Sequence, residues 1–386
     1  MTSWLEAAGL LRNKLSGLRN SLVLLLASIV CCIAAACGSP AHVPETSALG
    51  RADSTASDRL AVVTNKGVML WSSATGLHRI GPPLSTGPGV TVSQLTWSPD
   101  GRYLAWIQGS PITGTDELVR FDTRTDTWAT WQNTQEFGTI SFSGSHPVTI
   151  AGSFLYSFQP NGSTSPIAIA AFPSISASYD GGFIFTSNPV TPGSSVEIWR
   201  ASTDGETTSL GILPATGGLS EYDEISASWN GKWIALEKGD HTDVCGNGPS
   251  SRLVVMNAET GTVTWPRLPV RGSAKTLWRF SNIMYGEGAV VDFSAYEVRT
   301  CTAGRFPTRL FELDHNHIRL VASNVVDGQQ GPNGQLAVIT GQDALTVLNG
   351  YLPDLKIDGR QQLEVAGKVI PVPATPTFIS WAPRNP

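Results

Sequence analysis

Charge is scarce in this sequence. Asp, Glu, Lys and Arg make up 15% of the 386 residues, where ordinary soluble domains carry about a quarter. Beyond the first twenty residues there is no run of Lys or Arg, and the net charge at neutral pH is -5. The basic footprint that phosphate neutralisation requires is missing, which excludes nucleic acid as a partner. Also missing are a nucleophile elbow, a zinc-binding His-Glu-x-x-His, a phosphate loop and a dinucleotide fingerprint. Only six His are available for metal or acid-base centres. These absences set the expectation of no catalytic residues, no metal and no cofactor, with the reservation that a convergent site needs no motif.

What the chain has in quantity is turn formers and apolar residues. There are 39 Gly, 25 Pro and 12 Trp, and 41% of residues are hydrophobic. This is the profile of a turn-rich all-β protein with a large core rather than of a disordered chain. A single β unit accommodates this length, so two domains are not required.

The N-terminus has the layout of an export signal. Arg12, Lys14 and Arg19 precede an apolar run from Leu22 to Ile33, which ends in Ala34-Ala35-Ala36-Cys37-Gly38. A basic segment, an apolar segment and small residues at a cleavage point define a secretory signal. Residues 38–58, rich in Ser, Ala, Pro and Thr without apolar periodicity, read as a flexible tether. No second membrane-spanning segment follows, which weakens a role as the sensor of a membrane kinase or transporter.

From Leu95 onward the sequence repeats itself, and repeats are sought before strands because a missed one miscalls the fold. Leu95-Thr96-Trp97-Ser98-Pro99-Asp100-Gly101-Arg102-Tyr103-Leu104-Ala105-Trp106 returns, degraded, as Ile225-Ser226-Ala227-Ser228-Trp229-Asn230-Gly231-Lys232-Trp233-Ile234-Ala235-Leu236. Weaker copies lie at Ile140–Gly144, Ile175–Phe185 and Pro332–Val338, and the weakest near Trp278–Tyr285. Asp-Gly or Asn-Gly supplies the positive φ of a tight turn, and the flanking apolar residues form the strands that it joins. A second hairpin falls between copies: Val68–Trp71 to Gly76, Leu118–Phe121 to Asp126, Phe154–Tyr156 to Gly162, Glu197–Trp199 to Gly205, Leu253–Met256 to Gly261, Leu310–Leu313 to His317, and Leu345–Leu348 onward. Two hairpins per period make four strands, the content of one propeller blade.

The anchors Trp97, Phe142, Tyr179, Trp229, Phe280, Pro332 and Trp381 recur at intervals of roughly 37 to 52 residues, near the period of about 40 to 50 typical of blades. The expectation is an all-β propeller of seven four-stranded blades over residues 59–386. Arg59–Val63 reads as a second strand without a first, and Phe378–Pro383 as a first strand without a second. Pairing the two would close the ring and remove an open edge.

Two resemblances follow from these residues. Ala34-Ala35-Ala36-Cys37 resembles the lipobox of bacterial lipoproteins, with Ala34 where that family prefers Leu. The resemblance implies diacylglyceryl and palmitate chains on Cys37 and removal of the signal that precedes it. Plain cleavage after Ala36 and an uncleaved anchor remain open, and all three place the rest of the chain outside the cytoplasm. The Trp-Ser-Pro-Asp-Gly-x-x-Leu-Ala-Trp copy resembles the repeat of TolB-type propellers. TolB proteins carry a further N-terminal domain for which this chain has no room, so the resemblance implies the fold and not the partner.

Beyond the signal only Cys245 and Cys301 remain, an even pair suited to one disulfide in an exported protein. They lie about eight residues before Leu253 and about nine before Leu310, in matching loops of adjacent blades. A bridge there would close a loop worth about 4 kcal/mol on the chain-entropy account. Asp314-His315-Asn316-His317 and Asp240-His241-Thr242-Asp243 offer imidazole and carboxylate together. Both read first as solvated turns, and His241, Asp243, Asp314, His315 and His317 stand as candidate binding-loop residues. The function these readings favour is a monomeric, lipid-anchored propeller that binds an envelope protein or cell-wall component. The alternative is a cell-surface hydrolase or lyase acting on glycans, with paired carboxylates in the central channel. Mass spectrometry of the mature N-terminus is expected to find a lipid-modified Cys37 as the first residue; an unmodified residue there would keep export and reject the anchor.

Overall fold

The computed structural model describes residues 58–84, 90–110, 115–133, 137–151, 154–159, 163–169, 173–187, 195–213, 222–238, 252–266, 277–285, 291–298, 309–314, 317–331, 334–341, 343–348, 352–357 and 360–383. These residues form seven four-stranded antiparallel sheets and one separate two-stranded hairpin. Among them no helix is long and apolar enough to cross a membrane.

Each sheet follows the chain from an inner strand outward. The second is the most regular, with Thr91–Trp97, Tyr103–Ser110, Thr115–Asp122 and Thr127–Asn133 in sequential order. The inner strands of the third to seventh sheets are Ile140–Ser143, Pro173–Tyr179, Tyr222–Ala227, Leu277–Tyr285 and Val325–Gln330. The first sheet departs from sequential order. Its inner strand is the C-terminal Pro376–Trp381, which pairs antiparallel with Arg59–Thr64 and sets Leu60 opposite Trp381. The expected closure of the two chain ends is therefore present, and the fold is a β-propeller.

Burial explains why the strands read as unbroken apolar runs. In Leu104–Ile107, Leu104 and Trp106 pack toward the first sheet with Val63, Leu70 and Phe121. Ala105 and Ile107 pack toward the third sheet with Ile140 and Phe142. A strand covered on both faces loses the polar alternation that a half-exposed strand shows. Similar clusters fill the space between consecutive sheets, and one joins Val326, Ile339 and Val365 of the last sheet to Leu60, Ile379 and Trp381 of the first.

Trp at the end of the inner strand has a second use besides filling space. The Trp97 indole N–H donates to the Ser380 carbonyl of the preceding sheet at 3.2 Å. That of Trp381 donates to the Gln329 carbonyl at 3.0 Å. The repeat's Trp thus ties neighbouring inner strands, and Gly331 is required beneath it: a Cβ there would lie 2.7 Å from the Trp381 ring.

Two expectations need correction. In the Asp-Gly and Asn-Gly turns only the glycine takes positive φ, 63° at Gly101 and 65° at Gly231, and the Asx residue serves as an acceptor instead. Leu345–Leu348 does not supply the third strand of the last sheet. Asp343–Leu348 pairs with Leu352–Ile357 in the separate hairpin, and Gln362–Val365 pairs with Leu336–Thr340 in its place. Alternation identifies a strand but does not name its partner, and here an inserted hairpin precedes the strand that completes the sheet.

Trp381→Ala is expected to lower the unfolding free energy by about 3–5 kcal/mol. Trp381→Phe, which keeps most of the ring and loses the indole bond, is expected to cost about 1 kcal/mol. Urea unfolding followed by circular dichroism measures both.

Candidate functional site

Strands that alternate in direction sort the connections onto two faces. Turns joining first to second and third to fourth strands emerge on one face. Turns joining second to third strands, together with the crossings between sheets, emerge on the other. The first of these is built from short turns that the sequence specifies closely. Ser98 Oγ donates to Asp100 Oδ1 at 2.6 Å, and that oxygen also accepts from Arg102 N–H at 3.1 Å. Tyr103 N–H donates to Ser98 Oγ at 2.7 Å. Ser228, Asn230, Lys232 and Trp233 repeat the network at 2.8 to 3.0 Å. Local side-chain acceptors of this kind hold a turn without help from distant parts of the chain.

The second turns carry an Asx or Ser residue at their start that sequence reading overlooked. Asp122 Oδ1 accepts from Arg124 N–H at 2.9 Å, and Asn257 Oδ1 from Glu259 N–H at 2.9 Å and Thr260 N–H at 3.1 Å. Asp122 is also gripped by Arg102 through two bonds of 3.2 and 2.7 Å. Burial alone would raise its carboxyl, but the bonds from Arg102 and the Arg124 amide prevail and hold it below the ordinary value. Third-strand arginines then bridge to the next sheet. Arg120 donates to the Ser145 carbonyl at 3.1 Å, and Arg200 to the Gly231 carbonyl at 2.6 Å. Each lies over a tyrosine ring, Tyr103 and Tyr179 respectively.

Toward the axis, Asp327 is an inner-strand carboxylate buried to 1% exposure. Its Oδ1 accepts from Gly328 N–H at 2.9 Å and its Oδ2 from Ile379 N–H at 2.7 Å. Gln329 Oε1 takes the Trp381 N–H at 2.9 Å. Together these cap two amides of the closing strand. Burial pushes the Asp327 carboxyl up to about 6, although both amide bonds pull downward. Both oxygens accept from backbone amides, an arrangement that holds the closing strand in register. In the sequence only the acid itself, between Val326 and Gly328, is visible, and its partner strand is not.

The candidate residues divide between the two faces. Asp314 and His317 are both exposed and form the last register pair of their hairpin. They end their two strands on the short-turn face; His315 lies outside the described residues. His241 and Asp243 also lie outside them, and the strand ends that bracket them, Lys238 and Arg252, belong to the opposite face. Cys37, Cys245 and Cys301 lie outside the described residues as well. Lys238 to Arg252 and Val298 to Arg309 are nevertheless equivalent connections of adjacent sheets. Among the described residues, no group of three or more His, Cys, Asp or Glu could hold a metal ion.

No protein-family model matches the chain, and no curated protein matches it. Solved structures similar to it include TolB from Acinetobacter baumannii, at 13% identity, covering 86% of this chain and 68% of that one, with a TM-score of 0.46. The β-propeller domain of the trilobed protease from Pyrococcus furiosus is similar at 11% identity, with 84% and 98% covered and a TM-score of 0.47. An oligogalacturonate lyase from Vibrio parahaemolyticus is similar at 9%, with 79% and 82% covered and a TM-score of 0.44. Likenesses this distant carry no argument about function, and the fold stands on its own strand pairing.

A carboxyl with a raised value in the folded chain favours the folded state while it is protonated and costs stability once ionised. The stability of the protein relative to Asp327→Asn is therefore expected to be highest below about pH 4 and to fall as pH rises through about 6. The whole change is on the order of 3 kcal/mol. Denaturant melts of both proteins between pH 3.5 and 8 measure it, and a difference independent of pH would show that Asp327 does not titrate in this range.

Proposed function

We propose that this chain is an exported, lipid-anchored propeller of seven blades that works by binding in the bacterial cell envelope, as a scaffold for an envelope protein or cell-wall component. In this reading residues 1–37 are the signal with its lipobox, Cys37 carries the lipid, 38–58 form the tether and 59–386 the propeller. Cys245 and Cys301 form a disulfide between adjacent blades. The protein works as a monomer, on the outer side of the cytoplasmic membrane or the periplasmic side of an outer membrane.

The observation that carries the reading is how the polar side chains of the frame are used. Asp327, Asp122, Gln329, Arg102, Arg120 and Arg200 all hold strands and turns together. A frame so committed is suited to presenting loops rather than to moving protons, and loops on rigid frames are where binding resides. The tether, if fully extended, reaches about 70 Å. That length leaves both faces of the ring available to a partner.

The reading is tested by cross-linking in intact cells, followed by recovery of the tagged full-length protein from membranes. The expected outcome is a defined envelope protein or cell-wall fragment that is lost when the loop 239–251 is replaced by a Gly-Ser linker. Recovery of no partner, together with turnover of cell-wall glycans by the purified protein, would replace binding with catalysis.

A further inference from the structure

The seventh sheet is complete without one of the chain's hairpins. Leu336–Thr340 pairs with Gln362–Val365, and residues 343–357 between them leave the sheet to form a hairpin of their own. Among the described residues no third strand joins either edge of that hairpin. Because it links a second strand to a third, it emerges on the face opposite the short turns. The closed ring does not need it, and a two-stranded hairpin is marginal in water unless something covers its apolar face.

The register sorts its residues by face. Asp343 opposite Ile357, Leu345 opposite Leu355 and Val347 opposite Pro353 share one face, since alternate residues of a strand lie on the same side. Ala344 opposite Lys356, Thr346 opposite Asp354 and Leu348 opposite Leu352 share the other. The first face is apolar beyond Asp343 at its base, and the second is polar until its last pair. At the tip both faces are therefore apolar. The residues that join the strands are Asn349-Gly350-Tyr351, and from Ala344 to Pro353 the sequence holds no Asp, Glu, Lys or Arg.

These features choose between covers. A protein docked on the apolar face would leave Leu348 and Leu352 in water on the other, whereas a medium that surrounds the tip takes both. Tyrosine is a residue enriched where water meets lipid. The unpaired backbone of the two edges cannot enter hydrocarbon, which limits the depth. Asp354 sets the same limit: it is the first charge met from the tip, two register pairs back, or about 7 Å along the strand. Elements that rest at a lipid surface bury their apolar side by about 5–10 Å. We propose that this hairpin docks its apolar face and tip into the headgroup region of a phospholipid bilayer and holds that face of the ring toward the membrane. The tether leaves from the opposite face at Arg59, and its reach of about 70 Å clears a ring about 25 Å thick. The inference rests on the envelope reading above and adds a second membrane contact to the lipid.

The test uses the full mature chain carrying Cys37→Ser, which removes the lipid and keeps the hairpin, with phosphatidylcholine vesicles followed by flotation. The protein is expected to float with the vesicles at low and at high salt alike. Leu345→Ser combined with Leu355→Ser is expected to bind about tenfold more weakly or worse, and Thr346→Ser, on the other face, like the parent. Replacement of residues 343–357 by a Gly-Ser linker guards against a folding artefact: the seven sheets do not use the hairpin, so this variant should melt like the parent and fail to float. The proposal is overturned if the parent does not float, if the linker variant floats equally well, or if high salt abolishes binding. It is equally overturned if the parent is a dimer in solution and the linker variant a monomer, because a second copy then covers the face. An unmodified mature N-terminus in the wild-type protein would reject the lipid and leave the hairpin contact standing, so the two fail separately.

Discussion

The second strands of these sheets, among them Leu104–Ile107, Phe183–Phe185, Ile234–Leu236 and Ala337–Ile339, are buried on both faces, and that constraint dictates the architecture. A sheet with two dry faces must be covered twice. Sheets of this kind can be stacked in a row, which leaves the two outermost faces wet, or bent into a circle, which leaves none. Leu104 and Trp106 facing one neighbour while Ala105 and Ile107 face the other is the local form of this requirement. The cluster that joins Val326 and Ile339 to Leu60 and Trp381 is its closing instance. Hydrophobic burial of this extent is the principal favourable term in folding. The polar contacts decide register and order around the circle.

Those polar contacts are divided by location. The inner strands carry the Trp indole bonds, the short-turn face carries the arginine bridges, and the last junction carries a carboxylate and an amide that cap the closing strand. An unpaired amide in a buried strand edge costs as much as a lost hydrogen bond. Asp327 removes that cost at Ile379 but incurs another, the desolvation of its own charge. The same acid therefore specifies the junction and makes it sensitive to protonation.

Legibility in the sequence followed the range of the interactions. The turns at Asp100 and Asn230 were readable because all their partners lie within five residues. The closure of Arg59–Thr64 on Pro376–Trp381 was readable because each half lacked its complement. The Asp327 latch was not, since its partner lies 52 residues away and nothing at Ile379 marks it. Leu345–Leu348 carried a correct strand signal and a wrong assignment: periodicity reports a local conformation and is silent about which neighbour the strand will find.

The interleaving of the chain's two ends in one sheet also sets the order of events in biogenesis. Arg59–Thr64 leaves the ribosome before every other described strand, yet its inner neighbour is the last of them. The first sheet therefore stays incomplete until synthesis is nearly over, and contacts spanning such separations form slowly. Until the last residues are delivered the circle cannot close, so a partly synthesised chain keeps the Arg59–Thr64 edge open.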